Sequence, residues 1–194
     1  MKSVFHHGLG SRRARRLVVA LVYGVFAALP FLWAQGIDSL SADQVKAGFI
    51  YNFTRYVEFP PRAEADVTHF HVCTAGQDGV IDQLEIAVHG KVVDNQSIVV
   101  VRLGDSVNVG GCEVLYIGNI PGNYEQRLAA AVAGLPVLTV ASRRGFLAGA
   151  GILTFVLEQN RVRFDIDLDL AQKVNIHFDS RLLALARRTD RGTK

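Results

Sequence analysis

What the chain lacks most plainly is a catalytic motif. It has no Gly-rich P-loop ending in Lys and Ser or Thr, no G-x-S-x-G nucleophile elbow and no HExxH helix. Ser142 and Ser180 have no His and Asp partners at a motif spacing. Gly149-Ala150-Gly151 precedes an apolar run instead of following one, so it is not a dinucleotide fingerprint. Small residues there let backbone segments approach closely. Asp165, Asp167 and Asp169 begin like a calcium loop, but Leu170 stands where the loop needs glycine and Ile176 where it needs its last carboxylate. His69, His71 and Cys73 share one strand face, a metal half-site without a fourth ligand. The residues therefore name no catalytic group, no metal and no cofactor. A hydrolase would need a nucleophile and a base brought together by the fold alone.

The first 34 residues lack acidic side chains altogether, and they carry five basic ones: Lys2, Arg12, Arg13, Arg15 and Arg16. Taking these from the 21 basic residues leaves 16 against 18 acidic, a formal charge of −2 for the remainder. That balance removes the electrostatic case for nucleic acid. The arginines precede an apolar stretch from Leu17 to Trp33, and Ala34 is a small residue suited to a signal-peptidase cut. Residues 1–34 read as an export signal, 35–40 as a linker and 41–190 as the folded domain. An uncleaved anchor is the other reading, because the 17 residues from Leu17 to Trp33 reach the lower limit for a span. Both place the domain outside the cytoplasm, in a periplasm.

Cysteine is scarce, with only Cys73 and Cys112. An even count in an oxidising compartment favours a disulfide, with two buried thiols as the alternative.

What is present is an α/β pattern. Ser41-Ala42-Asp43-Gln44 is a capping box. Val45, Phe49, Phe53 and Tyr56 follow at helical spacing as a buried stripe, and Pro60 and Pro61 end the helix. Strands are expected at residues 69–74, 97–102, 113–117 and 136–140, the second buried on both faces. Helices are expected from Ile81 to Val88, from Tyr124 to Ala133 and around residues 143–147. Gly76-x-x-Gly79 marks a turn. Alternating strands and helices imply a mostly parallel sheet with helices on both faces. The last unit, residues 149–188, adds a hairpin. Its first strand is the apolar run Ile152–Leu157, and its turn is Glu158-Gln159-Asn160-Arg161. In the second strand Val162, Phe164, Ile166 and Leu168 alternate with Arg163, Asp165, Asp167 and Asp169, apolar on one face and charged on the other. A closing helix begins at Asp179-Ser180, packs Leu182, Leu183, Leu185 and Ala186 inward and ends in Arg187-Arg188. Residues beyond Thr189 read as a tail.

Five segments carry a resemblance: VKAGFIYNFTRYVEFP (Val45–Pro60), HVCTAGQ (His71–Gln77), CEVLYIG (Cys112–Gly118), PVLTVAS (Pro136–Ser142) and NRVRFDIDLDLAQKVNIHFDSRLLALAR (Asn160–Arg187). Together they resemble the YfiR-like periplasmic family. The resemblance implies an α/β/α sandwich that often dimerises, and a regulator rather than an enzyme. Such a regulator binds the periplasmic portion of an inner-membrane diguanylate cyclase or a related sensor kinase and holds it down. An outer-membrane lipoprotein can sequester the repressor, and less cyclic di-GMP means less biofilm. Cys73 and Cys112 match the family's bridged pair, while a second pair found in some members is absent. Asp165 matches an acidic family position, and Asp167 stands where the family often has Asn. The resemblance points to Arg161, Arg163, Asp165 and Asp167 as partner contacts. A small-molecule binder, with its ligand at the carboxyl ends of the strands, is the alternative.

Overall fold

A computed structural model describes residues 40–61, 68–143 and 149–190. The expected signal segment, residues 35–39 of the linker and most of the short helix at 143–147 lie outside these residues.

Ser41 caps the first helix, α1 (Ala42–Tyr56). Its hydroxyl accepts from the Gln44 N–H, and the Gln44 side chain accepts from the Ser41 N–H at 2.8 Å, which satisfies two otherwise orphaned donors. The buried face of α1 is Ala47, Ile50, Phe53 and Thr54, a rotation from the expected stripe. Phe49 and Tyr56 sit at its edge, partly buried. The helix stops before Pro60, because Val57 turns extended to form β1 (Val57–Glu58).

The main sheet has eight strands. In chain order they are β2 (His69–Ala75), β3 (Val92–Val93), β4 (Gln96–Arg102), β5 (Val114–Ile117), β6 (Leu138–Ala141), β7 (Leu153–Glu158), β8 (Arg161–Asp167) and β10 (Arg188–Asp190), with β9 (His177–Phe178) pairing separately with β1. In space the order is β10-β8-β7-β6-β5-β2-β4-β3. The five strands from β4 to β7 run parallel, whereas β3 and the β7–β8 hairpin pair antiparallel. The chain is a mixed α/β domain, as its pattern implies. β5 and β6 are buried at every position, the mark of strands in the middle of a covered sheet. β4 differs from expectation: only Ile98 is buried, because β4 lies one strand from the edge.

The remaining helices are α2 (Gly79–Val88), α3 (Gly122–Val132), α4 (Leu168–Lys173) and α5 (Ser180–Leu185). Two cores result. In the larger, α1, α2, α4 and α5 cover one sheet face through side chains such as Ile50, Leu84, Ala171 and Leu182. In the smaller, α3 covers the other face through Tyr124, Leu128 and Val132, opposite Cys73, Leu115 and Ile117. Helices thus sit on both faces, but the second face is only partly covered.

The connection from β4 to β5 carries the chain back across β2. It contains no helix, although such crossovers usually have one. Other contacts replace it. A disulfide joins Cys112, at the end of this connection, to Cys73 inside β2, and both cysteines are buried. Val109 packs beside them, and the Tyr124 hydroxyl donates to the Ser106 carbonyl at 2.6 Å.

The C-terminal unit departs from its sequence pattern in three places. Leu168 and Asp169 leave the strand and start α4, because Asp167 caps a helix there. Leu185 is 57% exposed, since α5 ends at that residue. Arg187 and Arg188 do not extend the helix, and the expected tail is β10, which pairs parallel with β8 and takes the edge position from the hairpin.

The disulfide closes a loop with a sequence separation of 39, so chain-entropy reasoning assigns it roughly 3–4 kcal/mol. Replacing both cysteines with alanine is expected to lower the urea-unfolding free energy by about that amount. A loss below about 1 kcal/mol would contradict the staple role.

Candidate functional site

The hairpin has two unlike faces, and its buried one is held by aromatic packing. Phe155 of β7 and Phe164 of β8 pair in register. Phe164 meets Phe49 and Phe53 of α1 edge-on, each at 5.2 Å between ring centroids. Such contacts add about 0.5–1.5 kcal/mol beyond burial. The turn residues Gln159 and Asn160 both take positive φ, 48° and 60°. That two-residue left-handed turn matches the right-handed twist of the strands. At the opposite end the Thr139 hydroxyl donates to the Ala150 carbonyl and accepts from the Ile152 N–H, fixing the start of β7 to β6.

The other face presents Thr154, Val156 and Glu158 of β7 opposite Asp165, Arg163 and Arg161 of β8. No described helix packs on it. The four charges expected there divide into two pairs. Arg161 and Arg163 are exposed, and among the described residues neither has an ion-pair partner. Asp165 is withdrawn: both oxygens accept from the Arg187 guanidinium, at 2.8 and 2.6 Å, and its side chain is 16% exposed. Glu158 leans the same way, 3.8 Å from Arg187. Asp167 accepts from the Leu170 N–H at 2.9 Å as the cap of α4. Sequence reading missed Arg187, which lies 22 residues from Asp165. Its sequence setting, the end of a leucine-rich run, suggested only a helix terminus.

Beyond this face, the Asp179 carboxyl caps α5 and is held down to about 2 by the Arg181 side chain and N–H. It stays charged through the neutral range, and its stabilisation is lost only as pH falls from its ordinary 3.8 toward 2. The Tyr116 phenol is pushed upward by burial and then by the Asp78 carboxylate, so it stays protonated and donates to Asp78 at 2.7 Å.

A second concavity lies at the carboxyl ends of the parallel strands. The spatial order β4-β2-β5 reverses chain direction between β2 and β5, and open α/β sheets place ligands at that switch. A cleft of about 420 Å³ opens there, lined by residues including Gly76, Gln77, Asp105, Asn119 and Tyr124. Gly76 has φ +91°, and a Cβ would lie 2.6 Å from the Asn119 carbonyl oxygen, so only glycine fits this wall. Arg127 reaches its rim, donating to the Asp105 carbonyl at 3.2 Å.

The histidine half-site is spent otherwise. Cys73 is in the disulfide, His69 Nδ1 lies 2.7 Å from the Thr68 hydroxyl, and His71 lies beside the Glu113 carboxylate. Among the described residues no cluster of His, Cys, Asp and Glu could hold a metal, and no helix is long and apolar enough to cross a membrane.

A family model described as YfiR/HmsC-like matches residues 43–187, from the first turn of α1 to the guanidinium that holds Asp165. No curated protein matches the chain.

The Asp165–Arg187 pair is internal, so breaking it costs stability. Asp165→Asn and Arg187→Ala are each expected to lower the unfolding free energy by about 1–3 kcal/mol. The double variant should lose clearly less than the two together, since each single change strands the charge of the other residue and the double change strands neither. Strict additivity in urea unfolding would contradict the assignment.

Proposed function

The chain belongs to the YfiR/HmsC-like family, and from that premise we propose that it is a periplasmic regulator that inhibits an inner-membrane diguanylate cyclase by binding the cyclase's periplasmic portion. A related sensor kinase is the other partner of this type. The observation that carries the reading is the family match over residues 43–187, which runs from the first turn of α1 through α5. Three features support it. The domain has a disulfide between buried cysteines, which suits an oxidising compartment. The basic, apolar first 34 residues suit export and cleavage. The hairpin leaves one sheet face open, with Arg161, Arg163, Asp165 and Asp167 on its second strand, and this is the proposed contact. Binding acts on the cyclase through a surface rather than through a reaction, so no catalytic group is called on. An outer-membrane lipoprotein that takes up the same face would release the cyclase. Self-association belongs to the same proposal.

The switch-point cleft favours a second reading, a receptor for a small periplasmic molecule. The two readings are compatible, since a ligand there would adjust the regulator.

Deleting the gene in its own host is expected to raise cyclic di-GMP and surface adhesion, and supplying the intact gene should restore both. Unchanged cyclic di-GMP, with a cyclase of this type expressed, would sink the first reading. For the second, a thermal-shift screen of periplasmic metabolites should give stabilisation that grows with ligand concentration and vanishes in Gly76→Val. A flat response across the screen would remove it.

A further inference from the structure

We propose that the open face of the β7–β8 hairpin recognises an acidic protein segment, with Arg161 and Arg163 as the specificity-determining contacts, while Asp165 is held within the chain by Arg187. The inference rests on the reading of this face as the regulator's contact and names the chemistry of what docks there.

Among the described residues, some charges near this face are satisfied within the chain and others are not. The second strand carries two arginines and two aspartates on this face, with Glu158 opposite Arg161, and the sequence suggests a self-neutralising surface. Geometry breaks the balance. The carboxylates are used inside the chain: Asp165 by a two-pronged bond to Arg187, Glu158 by its approach to the same guanidinium, and Asp167 by the α4 cap. Arg161 and Arg163 stand exposed on the same strand face, two residues apart and so about 7 Å along the strand. Half-buried Val156 lies opposite Arg163 and gives the pair an apolar floor. Each guanidinium presents a planar fork that fits a carboxylate with two parallel hydrogen bonds. Two such forks at strand spacing fit carboxylates on alternate residues of an extended segment, or on one face of a helix. A sheet underlies both arginines, so docking orders their side chains and not the backbone beneath them.

The test replaces Val156 with a photo-crosslinking benzoylphenylalanine in the full chain, expressed in its host, with the same substitution at exposed Ile86 of α2 as a control. Adducts are mapped to the contacted peptide. The expected result is a Val156 adduct to a peptide of net negative charge. Its yield should fall about tenfold in Arg161→Glu/Arg163→Glu, and severalfold when salt is raised from about 50 to about 500 mM, as exposed charge pairs require. Arg161→Lys/Arg163→Lys should keep part of the yield. A thermal melt of each variant confirms folding. An adduct to a neutral or basic peptide, to lipid or to a second copy of this chain would overturn the inference, as would a yield indifferent to charge reversal or no adduct at Val156. The reading beneath it fails separately: an acidic partner that is neither a cyclase, nor a sensor kinase, nor an outer-membrane lipoprotein would refute the proposed regulation and leave this recognition intact.

Discussion

The fold depends on how the chain gets from β4 back across β2 to begin β5. This step reverses the direction in which the sheet grows, and every later strand is laid down on the far side of it. A crossover usually brings its own helix to bury. Here an irregular connection does the work, and irregular chain buries little apolar surface and orders at full entropic cost. The disulfide between Cys112 and Cys73 compensates by removing freedom from the unfolded chain, and α3 clasps the same connection through Tyr124 and Arg127. Oxidising conditions therefore stabilise this topology. The cleft at the switch between β2 and β5 is a by-product of the same reversal.

Once β5 is placed, the rest follows outward to the hairpin. α1 comes first in the chain but packs on the last strands, where Phe49 and Phe53 lie against Phe155 and Phe164. This long-range aromatic contact uses up one face of the hairpin. The other face is left without a covering helix among the described residues, and β10 shields only its edge. A regulator that works by contact needs a surface that does not deform when touched. A sheet face backed by a packed core meets that need better than a loop does.

Much of this was legible in the residues, because patterning reports burial. The alternation from Val162 to Ile166 gave the correct face for each side chain, and the expected strands at 113–117 and 136–140 overlap the two strands that are buried at every position. Ser41 and Gln44 located the first helix through a local device that needs no tertiary partner. What was not legible depends on position in space. Nothing within β4 says that it lies next to an edge strand. β10 is three residues long, too short for any period to show. The stripe of α1 is rotated because Phe49 serves the rim of the hairpin core, which local spacing cannot reveal. At the candidate site the four charges were visible, but not their division. Asp165 is neutralised by Arg187, just after α5, and Asp167 is turned into a cap, which leaves Arg161 and Arg163 as the exposed arginines of the face.

In the proposed function, this disulfide-stapled domain binds the cyclase's periplasmic portion through the open hairpin face. Isothermal titration calorimetry of the two purified proteins measures this directly. The account predicts saturable binding that weakens about tenfold or more when Arg161 and Arg163 are both reversed to glutamate. Binding of equal strength by the wild-type and reversed proteins, or no binding by the wild type, would contradict it.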